Sequence, residues 1–177
     1  MPARQTLIPA VWLISDARSD AVLERVLRRL PRGSGLIFRH YHLGEAERRS
    51  RFQELARVAR ARGHVVVVSG DARKALRWGA DGAYGPAQSL SRGPACLRLA
   101  TAHSLRGLTK SCRADAILLS PVYPTRSHPG SKALGSLRFR LISRRSAVPV
   151  IALGGMTPAR AMALGSPSWA AIDGLSG

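Results

Sequence analysis

Val148-Pro149-Val150-Ile151-Ala152-Leu153-Gly154-Gly155-Met156-Thr157-Pro158 is the stretch whose reading decides the fold. An uncharged run of strand type stops at two glycines, and a threonine and a proline then open a helix. A buried strand that stops this abruptly delivers its carboxyl end to a ligand in an α/β protein. The glycine pair lets backbone N–H groups approach an anion, and the start of the next helix favours negative charge. The stretch reads as a phosphate site at a strand end.

Working outward, the same design recurs just upstream. Ala116-Ile117-Leu118-Leu119-Ser120 is a second apolar run, and it breaks into Pro121-Val122-Tyr123-Pro124-Thr125 and then Arg126-Ser127-His128-Pro129-Gly130. Further runs are Val11 to Ser15, Gly35 to Arg39, Val65 to Ser69, Asp81 to Tyr84, Cys96 to Thr101 and Trp169 to Asp173. Helical patterns lie between most of them. Ser19 or Asp20 caps a segment reaching Leu30, and Pro31 and Gly33 stop it. Glu45 to Arg62 repeats its apolar residues Phe52, Leu55, Val58 and Ala59 at helical spacing and ends at Gly63. Asp71 caps a helix through Trp78, Ser104 starts Leu105 to Cys112, and Thr157 caps Pro158 to Leu164. Residues 136–145 form a weaker helix, and Gly85 to Pro94 reads as loop.

Strand and helix alternating through eight strands predicts a parallel sheet with covering helices, and the short repeat suits a closed (β/α)8 barrel. An open doubly wound sheet would be crowded at this length. The final helix is expected to be missing or vestigial. Residues 1–177 read as a single domain, with no linker or low-complexity stretch.

Composition narrows the function classes. The net charge of +18 invites a nucleic-acid reading, but only three of the 28 basic residues are lysine. Arginine is spread along helix faces (Arg48, Arg49, Arg51, Arg57, Arg60, Arg62) in a chain rich in Ala and Gly, the pattern of solvated faces and a biased composition. No specific nucleic-acid partner is expected. No apolar run approaches a membrane span, and the N-terminus carries no secretory pattern. Cys96 and Cys112 fit no zinc or redox spacing. The expected setting is the cytoplasm, with both thiols reduced.

In such a barrel the chemistry sits at the carboxyl ends of the strands. In order these carry Asp16, Arg39, Asp71, Tyr84, His103, Ser120 to Ser127, Gly154-Gly155 and Asp173-Gly174. His103 follows strand five and is suited to general acid–base work, or to the plainer task of capping a helix on the surface. Asp71 either binds a hard cation such as Mg2+ or caps the next helix. Arg39 ends strand two among apolar neighbours, where a cation calls for an anionic ligand group. His40 and His42 show no metal-ligand pattern. Ser120, Thr125 and Ser127 offer hydroxyls to a ligand.

These residues resemble the thiamine phosphate synthase/TenI family. The resemblance is carried by Ala114-Asp115 through Thr125, Ala152-Leu153-Gly154-Gly155-Met156, Gly79-Ala80-Asp81-Gly82 and Thr101-Ala102-His103-Ser104, in the right order along nearly the whole chain. It implies a (β/α)8 barrel that binds a phosphorylated thiazole and couples it, with Mg2+, to a pyrimidine diphosphate with release of pyrophosphate. In TenI-type relatives a histidine in the position of His103 is implicated in isomerising a carboxythiazole phosphate without metal.

On this basis His103 and Arg39 are the candidate catalytic residues and Asp71 the candidate metal ligand. Thr101, Ser120, Thr125, Ser127, Gly154, Gly155, Asp173 and Gly174 are the candidate substrate- and phosphate-binding residues.

The chain also departs from the family. Strand two reads Ile37-Phe38-Arg39-His40-Tyr41 where the synthases have Gln-x-Arg-x-Lys. Gly70-Asp71 replaces Asn-Asp, and Tyr84-Gly85-Pro86-Ala87-Gln88-Ser89 lacks the second metal carboxylate. Thr125-Arg126-Ser127-His128 replaces Thr-x-Thr-Lys. Arg126, His128 and Lys132 are the available substitutes for the missing lysines. The thiazole half of the site is expected to be kept and the diphosphate half eroded. Three readings follow: the coupling reaction, a TenI-like tautomerase using His103, and a non-catalytic phosphate-ligand-binding relative.

Overall fold

The computed structural model describes residues 7–109, 113–126, 130 and 132–175. Eight parallel strands close into a barrel in sequence order. They are β1 (Val11–Ile14), β2 (Gly35–Phe38), β3 (Val65–Ser69), β4 (Gly82–Pro86), β5 (Leu97–Ala102), β6 (Ala116–Leu119), β7 (Val150–Leu153) and β8 (Trp169–Ala171). β1 pairs with β8 through Trp12↔Ala170 and with β2 through Trp12↔Gly35, which closes the ring.

The covering helices are α1 (Leu23–Arg29), α2 (Glu45–Arg60), α3 (Ala72–Trp78), α4 (Ala87–Leu90), α5 (Leu105–Thr109), α6 (Gly135–Ser143) and α7 (Pro158–Leu164). Among the described residues no helix follows β8. No described helix is long and apolar enough to cross a membrane.

Two expectations change in detail. Residues 85–94 are not all loop: β4 runs through Pro86 and the one-turn α4 follows. The start before α1 is a 3-10 turn, Ala17–Val22, and its cap is Asp16, whose carboxylate accepts the Arg18 N–H. Asp20 is committed elsewhere, to His40 and Arg51. The caps at Asp71 and Thr157 are as expected, each accepting the N–H three residues on.

Alternation along the strands sorts the side chains into two cores. Inside the barrel pack Trp12, Ile14, Ile37, Val67, Tyr84, Leu97, Leu99, Ala116, Leu118, Ile151, Ala170 and Ile172. The intervening residues, such as Leu13, Phe38, Val66, Ile117 and Ala152, face the helices and form the larger cluster. Phe38, Phe52 and Trp78 stack edge-on and tilted within it, at centroid distances of 5.3 to 6.5 Å.

The amino end of the barrel is tied by carboxylates. Asp81 Oδ2 accepts the Val66 N–H and Asp115 Oδ2 accepts the Arg98 N–H, both at 2.7 Å. Each aspartate stands just before one strand and holds the start of its neighbour. This end serves stability, and the opposite end is left for chemistry.

Candidate functional site

The inward parity continues past the strand ends and builds the mouth. Two residues beyond Ile37 is Arg39, beyond Leu99 are Thr101 and His103, beyond Leu118 is Ser120, and beyond Ile151 is Leu153. Together with Tyr84, Pro121, Thr125, Gly154 and Ile172 they line one cavity of about 430 Å3. A second cleft of about 300 Å3 adjoins it and shares Thr125, Leu153, Gly154 and Ile172. Its other walls are Pro124, Arg126, Gly155, Met156, Thr157, Arg160, Ala171, Asp173 and Gly174. The candidates Thr101, Ser120, Thr125, Gly154, Gly155, Asp173 and Gly174 thus fall in one continuous hollow with His103 and Arg39. Ser127 and His128 lie outside the described residues.

His103 is exposed at this mouth, and its ring is oriented. Nδ1 lies 2.9 Å from the carbonyl oxygen of Ser120, with the Ser120 hydroxyl at 3.3 Å. A carbonyl only accepts, so Nδ1 carries the proton and the neutral ring keeps its bare lone pair on Nε2. The plain helix-capping alternative is not what is seen: Ser104 Oγ accepts the Gly107 N–H at the start of α5.

Arg39 is not an unpaired cation. Its Nη2 donates to Asp16 Oδ2 at 2.7 Å, its Nε reaches the Ser15 carbonyl at 3.4 Å, and its side chain is 17% exposed. The chain supplies the anionic partner that the sequence assigned to a ligand, because Asp16 stands two residues past the end of neighbouring β1. Burial alone would raise the Asp16 carboxyl. The hydrogen bonds from Arg18 and the charges of Arg18 and Arg39 outweigh it and hold the group below the ordinary carboxylate range.

The glycine pair does more than admit an anion. Gly154 and Gly155 have φ of +98° and +60°. A Cβ on Gly154 would lie 2.7 Å from Pro121 Cα, and one on Gly155 would lie 2.4 Å from the Pro124 carbonyl oxygen. The loop after β6 is laid directly over the loop after β7, with Val122 N–H on the Leu153 carbonyl and Tyr123 N–H on the Gly154 carbonyl. Gly154→Val is therefore expected to displace the Pro121 loop, destabilising the protein by about 1–3 kcal/mol as well as emptying the cleft. Urea unfolding measures the first effect. Arg126→Ala is the cleaner probe of the cleft, since Arg126 is an exposed side chain on its wall. Losing one charge-assisted contact is expected to weaken phosphate-ligand binding by about tenfold in calorimetric titration, without moving the urea midpoint.

Arg160 was not singled out in the sequence. Its guanidinium donates to the Gly155 carbonyl and lies over the Tyr123 ring, 5.0 Å from the centroid. The available signal was its place one turn into the helix that follows the glycine pair. Asp173, on the far wall, faces Arg18 at 3.7 Å.

Asp71 sits elsewhere. It lines a side cavity of about 470 Å3 with Tyr41, Arg48, Ser69, Gly70, Lys74, Arg77, Tyr84, Gly85, Pro86 and Ser89. Among the described residues that cavity shares only Tyr84 with the mouth, and burial raises the pKa of the Tyr84 hydroxyl. Asp71 Oδ1 accepts the Lys74 N–H at 2.7 Å, so the helix-cap reading accounts for it. Among the described residues it is the one carboxylate in a wall carrying Arg48, Lys74 and Arg77. Among the described residues no group of three or more His, Cys, Asp or Glu is placed to hold a metal ion. These side chains do not fit a protein-held Mg2+.

Three comparisons bear on this geometry. Residues 11–166 match the family model described as thiamine monophosphate synthase. The chain is 27% identical over 163 residues to a putative thiamine-phosphate synthase 2 of Aquifex aeolicus (strain VF5), covering 85% of this chain and 87% of that protein. Among solved structures it resembles a thiamine phosphate pyrophosphorylase from Pyrococcus furiosus, with a TM-score of 0.78, 21% identity, and coverage of 92% of this chain and 85% of that one. A thiamine phosphate pyrophosphorylase from Bacteroides thetaiotaomicron follows at TM-score 0.63 and 13% identity, covering 92% and 82%. At these identities the two structural likenesses speak for the fold alone.

Proposed function

Because the chain belongs to the thiamine monophosphate synthase family, we propose that its mouth binds a phosphorylated thiazole and that His103 moves protons on the thiazole ring. The phosphate end is assigned to the cleft of Gly154, Gly155, Arg126 and Arg160, and the ring to the cavity of Thr101, His103 and Ser120. The supporting observation is the Nδ1 contact of His103 to the Ser120 carbonyl, which leaves Nε2 as a directed base inside the ligand cavity. In this reading that group carries the proton transfers of a carboxythiazole phosphate isomerisation. One ring C–H bond breaks with its proton passing to Nε2, the electron pair shifts through the ring, and a proton is returned to a nearby position.

A second reading, coupling of the thiazole to a pyrimidine diphosphate with release of pyrophosphate, is favoured by one observation. The side cavity next to the mouth carries Arg48, Lys74 and Arg77, charges that suit a diphosphate. Lys74 is already held by Glu45 at 2.9 Å, and Arg48 donates to the Arg39 and Ser69 carbonyls, so two of the three cations are engaged within the protein.

The test uses the whole chain. Carboxythiazole phosphate is followed by proton NMR in D2O with chelator present, and conversion with uptake of solvent deuterium is the expected result. Formation of thiamine phosphate only when pyrimidine diphosphate and Mg2+ are added favours the coupling reading instead. Binding of thiazole phosphate with no turnover under either condition leaves a phosphate-ligand sensor. Failure to bind it at all overturns the site.

A further inference from the structure

Behind Arg39 lies a chain of hydrogen bonds that the chemistry proposed for the mouth does not use. His40, the next residue, is 1% exposed and, at φ +40°, is the non-glycine residue of positive φ among those described. Its ring stacks parallel to Phe38, with centroids 4.7 Å apart. Nε2 is 2.8 Å from Asp20 Oδ1 and Nδ1 is 2.8 Å from Ser15 Oγ. Ser15, fully buried at the end of β1, accepts the Arg39 N–H on that same Oγ at 2.8 Å.

The protons on this chain can be assigned. Burial alone would raise the Asp20 carboxyl, but hydrogen bonds from His40 and Arg51 outweigh it and keep the group ionised. An ionised carboxylate only accepts, so the proton is on Nε2. Nδ1 of the neutral ring is then a bare acceptor. The Ser15 hydroxyl donates to it while accepting from Arg39. The same residue types make hydrolytic triads, but here the serine is sealed from solvent and its hydroxyl is occupied on both sides.

We propose that Asp20, His40 and Ser15 form a positioning relay for Arg39, one that holds the Arg39 backbone at the mouth only while His40 is neutral. A second ring proton would sit on Nδ1 and donate to Ser15 Oγ, leaving the buried Ser15 hydroxyl proton without its acceptor. Ser15 Oγ then has to accept from both the ring and the Arg39 N–H while its own proton turns off the ring, so the geometry of the Arg39 contact changes. The opposite edge of Arg39 is held independently, by Arg48 Nε on its carbonyl at 2.7 Å.

The groups facing His40 set the pH sense. Asp20 comes from the 3-10 turn. Arg51 comes from α2 and is itself bound to Asp20 and Glu24, and the His42 ring lies 5.2 Å away. Burial pushes His40 below its ordinary value of 6.5, against Asp20, and His42 and Arg51 push the same way as burial. The relay is therefore intact above about pH 6.5 and is lost as pH falls through the lower folded-state value. It stands whichever reaction the mouth performs.

The full chain labelled with 15N decides it, with the Arg39 amide and the His40 ring nitrogens followed from about pH 8 to about pH 5. The expected result is an Nε2–H ring at the upper pH and an Arg39 amide that shifts with the same midpoint as His40, below pH 6.5. In His40→Asn, the amide oxygen can still accept from Ser15 and cannot titrate, so the Arg39 signal should stay flat. In Ser15→Ala, His40 should still titrate and Arg39 should no longer follow it. An Nδ1–H ring at the upper pH or a flat Arg39 signal in the unaltered chain overturns the relay. So does an Arg39 signal that still titrates in either variant. If both variants fail to fold by circular dichroism, the unaltered chain decides alone.

Discussion

Replacing His103 by alanine lowers turnover of carboxythiazole phosphate by at least about 100-fold and leaves its affinity nearly unchanged. The expectation rests on the split between the two halves of the hollow. In the proposed reading the charged end of the ligand is assigned to the cleft of Gly154, Gly155, Arg126 and Arg160, and His103 is not among the walls of that cleft. Removing the imidazole therefore deletes a proton-transfer group without touching the contacts assigned to binding. His103→Gln is equally inactive, because an amide can hydrogen-bond but cannot exchange a proton near neutral pH. The measurement is a kcat and KM comparison for the three proteins, with calorimetric affinity beside it. A variant that loses affinity and rate together would place His103 in binding. One that keeps its rate would remove it from the reaction.

The largest stability effect is expected at the other end of the barrel. Trp12→Ala costs about 3–5 kcal/mol, a large part of the roughly 5–15 kcal/mol that holds a domain folded. Trp12 is fully buried inside the barrel and lies opposite Gly35 in the β1–β2 register. A Cβ on Gly35 would stand 2.1 Å from Trp12 Cε3, so the indole occupies the space that a side chain on β2 would need. Gly35→Ala alone is destabilising for that reason. Combined with Trp12→Ala it should cost clearly less than the sum, since the smaller residue at 12 makes room. Urea midpoints of the two single variants and the double variant test this. Strict additivity would mean that the two residues do not share one space.

Much of the candidate site was legible because strand ends in a parallel barrel converge. Thr101, His103 and Ser120 are separated along the chain, but the inward parity of β5 and β6 carries them to one mouth, and the loops after β6 and β7 bring Thr125, Gly154 and Gly155 there. Arg39 lies at that mouth, and its partner Asp16 has no local signature in the sequence. That Asp16 lies beside it depends on the β1–β2 register and on the 3-10 turn, neither of which a periodicity records. Asp71 shows the same limit. A strand-end aspartate reads equally as metal ligand or cap; the structure shows the cap, and that Arg48, Lys74 and Arg77 share its cavity is set by packing alone.

The motif Gly79-Ala80-Asp81-Gly82 and the pair Ala114-Asp115 carried family resemblance, yet the structure puts both aspartates at the amino end of the barrel as strand ties. Sequence by itself determined the closed eight-stranded order, the α3 and α7 caps and the set of residues at the mouth. Periodicity and turn chemistry are local, and a parallel barrel repeats them in order. Tertiary structure alone decided which charges neutralise one another and which proton sits on which histidine nitrogen. It also decided that Gly154 is required by the loop laid over it. Those outcomes depend on distances of a few ångströms between segments far apart in the chain, and no local pattern encodes them.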